Sequence, residues 1–276
     1  MGIRKVGDTQ IEPLDSNRRR PPVSLTAVDS QSSRPFQLTR VGRRFGTVEV
    51  LQDISVAIEP GEFVAVVGPS GCGKTTLLNL LSGYEQPSAG VVERRGQVCM
   101  VYQVDGLYPW MTVAENISLG VRHLASADER RLHIDDMIRL IELQGFENHY
   151  PHQLSGGMRQ RVELARALAG NSDILLMDEP FSSLDYLTRL RMRQELAHLL
   201  HERPRTVVLV THDIEEAAQL ADRVIVLTGR PAQIRRELRI QTARPRALTH
   251  AEVVSATRII LTELGIEDGA GAIEGA

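Results

Sequence analysis

The stretch that most constrains this chain is Phe63 to Gly83, FVAVVGPSGCGKTTLLNLLSG. Phe63 to Val67 is an apolar, β-branched run that reads as a buried strand, and Thr75 to Leu81 reads as a helix stopped by Gly83. Between them Gly68, Gly71 and Gly73 allow a tight loop. Gly68-x-x-x-x-Gly73-Lys74-Thr75 matches the phosphate-loop pattern in full, in the strand–loop–helix context that the pattern requires. Such a loop (Gly68, Pro69, Ser70, Gly71, Cys72, Gly73) turns backbone N–H groups inward around phosphate oxygens, and the helix start at Thr75-Thr76 adds its positive dipole end. Lys74 reaches the β and γ phosphates, and the Thr75 hydroxyl is placed to ligate Mg²⁺. A glycine-rich turn before a core helix is the plainer reading, but Lys-Thr at these positions weighs against it. The implied ligand is a nucleoside triphosphate.

Composition limits the rest. The 276 residues, 42% hydrophobic and 24% charged, suffice for one large domain or two modest ones with a buried core. A formal charge of −3 gives no general attraction to nucleic acid. The two cysteines, Cys72 and Cys99, suit a reducing compartment and offer no disulfide framework. No apolar run approaches the roughly 20 residues needed to span a bilayer. The N-terminus shows no signal-peptide core, and Asp8, Glu12 and Asp15 argue against a transit peptide. A cytoplasmic chain is expected. Cys72 sits where a helix N-terminus lowers a thiol's pKa. That makes it either a reactive thiol that MgATP protects or a small inert filler of the loop.

In chain order, residues 1–34 are polar and Pro-rich around Arg18-Arg19-Arg20-Pro21-Pro22 and read as a disordered tail. Its arginines are either solvated or laid against anionic lipid. Phe36–Val41 and Ile54–Ile58 read as strands, and Phe45, on a loop between them, is either core packing or a platform for a purine. Gln97–Tyr102 reads as a strand ending at Gln103. A mostly helical segment, about 104–166, then interrupts the α/β pattern, with a stripe of Ile134, Met137, Ile138 and Ile141 that ends at Gly145. Leu154-Ser155-Gly156-Gly157 opens another helix and offers a second anion site.

Three further strands follow. Ile174–Met177 ends in Asp178-Glu179, Thr206–Val210 ends in Thr211-His212-Asp213, and Val224–Leu227 is the last. Ligands in open α/β sheets bind at the carboxyl ends of strands. Asp178 therefore fits a Mg²⁺-holding carboxylate. Val253, Thr257, Ile260, Leu261 and Leu264 form one face of a C-terminal helix, and residues 266–276 read as a flexible tail.

On these motifs, all in one order, the stretch from about Phe36 to Leu264 resembles the ATP-binding subunit of an ABC transporter. The resemblance implies a P-loop NTPase (RecA-like) α/β core with an antiparallel β subdomain and an inserted α-helical signature subdomain, together spanning 35–265. It implies ATP and Mg²⁺ as cofactors, with Phe45 and Gly68 to Thr76 on ATP and Thr75, Gln103 and Asp178 at the metal. Glu179 would polarise the attacking water and His212 would contact the γ-phosphate. Leu154, Ser155, Gly156 and Gly157, with the D-loop Asp185, would face the ATP of a second subunit in a head-to-tail homodimer. Partners would be membrane permease subunits and, through them, an extracytoplasmic solute-binding protein, with the chain on the cytoplasmic face of the cell membrane.

The Leu107–Val113 stretch with Glu115-Asn116, Asp178-Glu179-Pro180-Phe181, and Arg230-Pro231 through Arg244-Pro245-Arg246 resemble the nitrate/sulfonate/taurine importers more narrowly. Val104-Asp105-Gly106 after Gln103 and the short stretch Gly90–Val101 depart from that pattern. The alternatives are an exporter ATPase or a non-transport assembly such as iron–sulfur assembly. A DNA-repair ATPase would need coiled-coil arms, and no sustained heptads are present.

Overall fold

The computed structural model describes residues 34–103 and 106–266. The expected N-terminal tail up to residue 33, with its arginine run, lies outside the described residues, as do Val104, Asp105 and the C-terminal tail from residue 267. Two antiparallel strands, β1 (Phe36–Phe45) and β2 (Val48–Ile58), meet across Gly46-Thr47, where Gly46 takes φ +57° to make the reversal. Both are longer than the sequence indicates, so Phe45 ends a strand and does not sit on a loop. Its partner across the hairpin is Val48. The short polar strand β4 (Ala89–Arg94) pairs with the other edge of β1, completing a three-stranded antiparallel sheet.

The phosphate-loop strand β3 (Phe63–Val67) is buried at all five positions. Successive side chains alternate faces, so Phe63, Ala65 and Val67 join one apolar cluster and Val64 and Val66 the other. The first cluster includes Val162, Leu164, Leu196, Ala217 and Ile260 from the surrounding helices. The second includes Leu77 and Leu81 beside β3 and Leu38, Ile54 and Ile58 from the antiparallel sheet. Burial on both faces is why β3 reads as a continuous apolar run and not as an alternating one.

Helix α1 (Lys74–Ser82) leaves the loop after β3 and ends on Gly83, whose left-handed φ of +79° caps it. The strands β5 (Val98–Val101), β6 (Ile174–Asp178), β7 (Thr206–Val210), β8 (Arg223–Leu227) and β9 (Ile234–Arg239) complete a six-stranded sheet in the order β5-β6-β7-β3-β8-β9. Only β9 runs antiparallel to its neighbour. The carboxyl ends of β3, β6 and β7 therefore lie side by side.

The helical insert contains α2 (Val113–Ser118), α3 (Ala127–Leu140) and α4 (Gly156–Ala169), and it runs three residues past the expected end at Arg166. Thr112 and Glu115 cap α2 reciprocally. Fully buried Asn116 accepts from the Tyr108 N–H at 2.9 Å and donates to the carbonyls of Tyr108, Met111 and Thr112, which fixes the Tyr108-Pro109-Trp110 loop on α2. Beyond β6, α5 (Tyr186–Glu202) and α6 (Ile214–Leu220) flank the sheet, and α7 (Ala251–Glu263) closes it. α7 buries Val253, Ala256 and Ile260; Thr257, Leu261 and Leu264, expected on the same face, are only partly covered.

Candidate nucleotide-binding and catalytic site

The loop from Gly68 to Gly73 wraps the end of β3. Gly73 takes φ +123°, and a Cβ there would meet Val50 Cγ1 at 2.7 Å, so β2 packs against the loop where only glycine fits. Lys74 is 7% exposed and donates from Nζ to the carbonyls of Gly68 (2.9 Å) and Pro69 (3.1 Å). Both partners are neutral. A nearly buried ammonium whose hydrogen-bond partners are carbonyls, with the Asp178 carboxylate acting on it only at a distance, favours an incoming anion, because burying a charge is costly until it is closely paired.

Beside the loop is a cavity of about 570 Å³. Phe45, Val48 and Val50 form one wall, Ser70, Gly71 and Gly73 to Thr76 form the floor, and Gln103 and Glu179 stand at the far side. Arg43 lies over the Phe45 ring with Cζ 4.3 Å from the centroid, and an ion pair to Glu85 at 3.0 Å holds Arg43 in place. A backed aromatic wall next to a phosphate cradle suits a purine nucleoside triphosphate. Arg230 also lines this cavity and donates to the Gly71 carbonyl. Sequence reading missed Arg230 at the cavity, because the residue lies far along the chain on the turn between β8 and β9.

The acidic pair sits at the end of β6. Asp178 is 3% exposed, and burial pushes its carboxyl above the usual range against the opposing hydrogen bond from the Thr75 hydroxyl. Glu179 adopts a left-handed backbone with φ +49°, unusual for a non-glycine residue. Such a conformation costs about 1–3 kcal/mol. The surroundings offset it: the Glu179 N–H donates to Val210 O (2.9 Å), and its carbonyl accepts from Gln160 Nε2 (3.1 Å), Ser182 N (3.2 Å) and Ser182 Oγ (2.9 Å). At about 1 kcal/mol net each, these four bonds are enough to offset the strain. The result aims the carboxylate so that its Oε2 lies 3.2 Å from Gln103 Nε2 and 3.1 Å from His212 Nδ1.

The structure thus brings Phe45, the loop, Gln103 and Glu179 to one cavity, with Asp178 and His212 bonded to members of it. It does not bring the remaining expected residues there. Ser155 caps α4 by accepting from Met158 N at 3.2 Å, and Ser155 and Gly156 are exposed outside the cavity, while Leu154 is buried. Asp185 caps α5 and accepts from Thr188 N at 3.1 Å. Of the two readings of Cys72, the structure favours the inert filler: the side chain is 2% exposed and packs within the core on the α1 side of the sheet.

A phosphate loop, an acidic pair and a histidine at the carboxyl ends of neighbouring strands define a P-loop nucleoside triphosphatase. The chain belongs to the ABC transporter family, whose profile matches residues 51–182. It is 47% identical over 226 residues to an aliphatic sulfonates import ATP-binding protein of Rhodococcus jostii, covering 80% of this chain and 89% of that protein. A taurine import ATP-binding protein of Jannaschia sp. is 43% identical over 72% of this chain and 77% of its own length. The fold matches a bacterial ABC transporter cassette solved as a dimer, with a TM-score of 0.67 and 35% identity over 75% of this chain and 99% of that one. The same cassette is known in a post-hydrolysis state with ADP and phosphate. The chain is an ATP-binding, ATP-hydrolysing subunit of this family.

Proposed function

We propose that this chain powers an importer of a small anion of the sulfonate, taurine or nitrate class. It would work as a homodimer docked by its permease on the cytoplasmic face of the membrane, with a solute-binding protein engaging the permease from the other side. The observation that supports the dimer is the separation within one chain of the cavity from Ser155-Gly156-Gly157, none of which lines it. No helix among the described residues is long and apolar enough to cross a membrane. The import assignment and the anion class rest on the relatives named above.

The residues fit a magnesium ion beside the phosphates. The Thr75 hydroxyl already contacts the buried Asp178 carboxylate, and Gln103 lines the same cavity. Thr75, Asp178 and Gln103 would hold the ion, which would supply positive charge against the charge that develops on the phosphates. The chain's own groups do the rest. Lys74 and the loop hold the phosphates, Phe45 holds the base, and Glu179 orients the attacking water and takes its proton. His212 holds the Glu179 carboxylate in place, and Gln103, bonded to the same oxygen, links the site to the loop that follows β5. Catalysis is mainly positioning and electrostatic stabilisation.

Reconstitution of the chain with the permease and binding protein encoded beside it tests this reading. The isolated chain should hydrolyse ATP slowly, and solute-loaded binding protein should raise the rate at least tenfold in proteoliposomes. Full activity in a demonstrably monomeric preparation would exclude the dimer, and no response to any sulfonate, taurine or nitrate would exclude the solute class.

A further inference from the structure

Gln160 is 3% exposed and lies on α4, the helix capped by Ser155. Its amide makes contacts of both kinds. Oε1 accepts from Ser183 N at 3.1 Å and from the Ser183 hydroxyl, and Nε2 donates to the Glu179 carbonyl at 3.1 Å. A backbone N–H can only donate, so the Ser183 contact fixes which end of the amide is oxygen and leaves the NH₂ facing Glu179. The other donors to that carbonyl, Ser182 N and Ser182 Oγ, are local to the turn after β6. Among the described residues Gln160 is the donor that reaches it from another element. α4 meets the same turn a second time at Gly157, where a Cβ would come within 3.2 Å of both Ser183 O and Leu184 Cδ2.

We propose that Gln160 is a positioning residue for hydrolysis, one that holds the left-handed Glu179 backbone and thereby makes the placement of the Glu179 carboxylate depend on the position of the signature helix. The inference rests on the reading of Glu179 as the residue that acts on the attacking water. Main-chain rotation at Glu179 moves the carboxylate away from both Gln103 and His212, and displacement of a catalytic group by about 1 Å can cost 10²-fold in rate. Because α4 begins at the exposed Ser155-Gly156, a second subunit's ATP seated there would act on Glu179 of this subunit through one side chain. The ATP of one site would then tune the chemistry of the other.

The test uses the assembled transporter. Gln160→Glu keeps the acceptor for Ser183 but sets a carboxylate oxygen against the Glu179 carbonyl; Gln160→Met keeps the length and removes both contacts without adding charge. For each, turnover per nucleotide-binding site, KM for MgATP and Tm are measured beside wild type and Glu179→Gln. Turnover should drop by roughly one to two orders of magnitude, the scale of a displaced catalytic group, with KM within threefold and Tm preserved. Turnover within threefold of wild type in either folded variant overturns the proposal. Joint loss of turnover, nucleotide binding and Tm, or failure of both variants to fold, also overturns it, since a packing role would do that. If Glu179→Gln itself keeps its turnover, the reading of Glu179 falls; if Glu179→Gln is inactive while Gln160→Glu is active, only the role of Gln160 falls.

Discussion

His212 Nδ1 lies 3.1 Å from Glu179 Oε2, the carboxylate oxygen that Gln103 Nε2 also approaches at 3.2 Å. The three residues come from the ends of β7, β6 and β5, so one oxygen at the end of β6 gathers contacts from the strands on both sides of it. Replacing His212 by Ala removes one of the two holds without touching the phosphate cradle. Steady-state turnover of the transporter should fall by roughly 10²-fold, the scale of losing a positioned proton-transfer arrangement, while calorimetry shows near-normal ATP affinity. An unchanged turnover would remove His212 from the site.

Lys74→Ala addresses the cradle itself. The Nζ now bonded to the Gly68 and Pro69 carbonyls is the nearly buried positive charge at the loop. Charge-assisted bonds contribute about 1.5–3 kcal/mol, so nucleotide affinity should weaken roughly 10- to 100-fold. Equal affinities for wild type and mutant, by calorimetry, would refute the phosphate-loop reading.

Cys72 gives a prediction opposite in sign to its place in the motif. A helix N-terminus activates a thiol only where reagents reach it, and Cys72 is 2% exposed beneath the loop. Maleimide should label it slowly in the folded protein, at a rate that MgATP leaves unaltered, and rapidly in denaturant. Fast labelling that nucleotide blocks would show that the loop opens.

Much of this site is visible in the sequence because its chemistry is local. Gly68 to Thr75 specifies a strand, a turn and a helix within a few residues, and Asp178-Glu179 and His212 each follow an apolar strand that is buried on both faces. The features that sequence reading passes over are those made by tertiary contact. β9 (IRRELR) is a charged edge strand with no apolar alternation, recognisable only once β8 is beside it. α5 did carry a signal, Asp185 as cap ahead of Leu196 and Leu200, but its charged face obscures the period. Phe45 reads as a loop residue because a hairpin glycine follows it directly. Gln160 carries no local signature, and its role depends on a turn that lies well further along the chain.

Glu216 supplies a pH dependence. It is buried beside Arg193, Asp213 and Arg189, with Thr211 Oγ1 donating to its Oε2 at 2.9 Å. Burial pushes its carboxyl up from 4.5 to about 7, aided by Asp213 and opposed by Arg193 and Thr211. Between those values the folded state holds the proton more tightly than the unfolded state. The group's contribution to stability is therefore fully present below about 4.5 and is lost as pH rises through about 7. The thermal midpoint of wild type should fall over that window relative to Glu216→Gln, which stays neutral throughout. Parallel Tm–pH curves for the two proteins would contradict the shift.

Glu179→Gln separates binding from chemistry. The amide keeps the shape of the side chain and an oxygen for His212 and Gln103, and it removes negative charge from beside the γ-phosphate. It cannot take a proton. MgATP binding should therefore match or exceed wild type, while turnover falls by roughly 10²-fold or more. If hydrolysis is what reopens the dimer, the variant should accumulate with ATP as a closed dimer, read by sizing chromatography with light scattering. Asp178→Asn should behave differently. Its carboxylate meets Thr75 in a nearly buried position, so the loss should appear in Mg²⁺-dependent affinity and not in trapping of the dimer. Near-normal ATPase activity of Glu179→Gln in the reconstituted transporter would show that the carboxylate only fills the end of β6, and the strained backbone at φ +49° would then have to serve the turn alone.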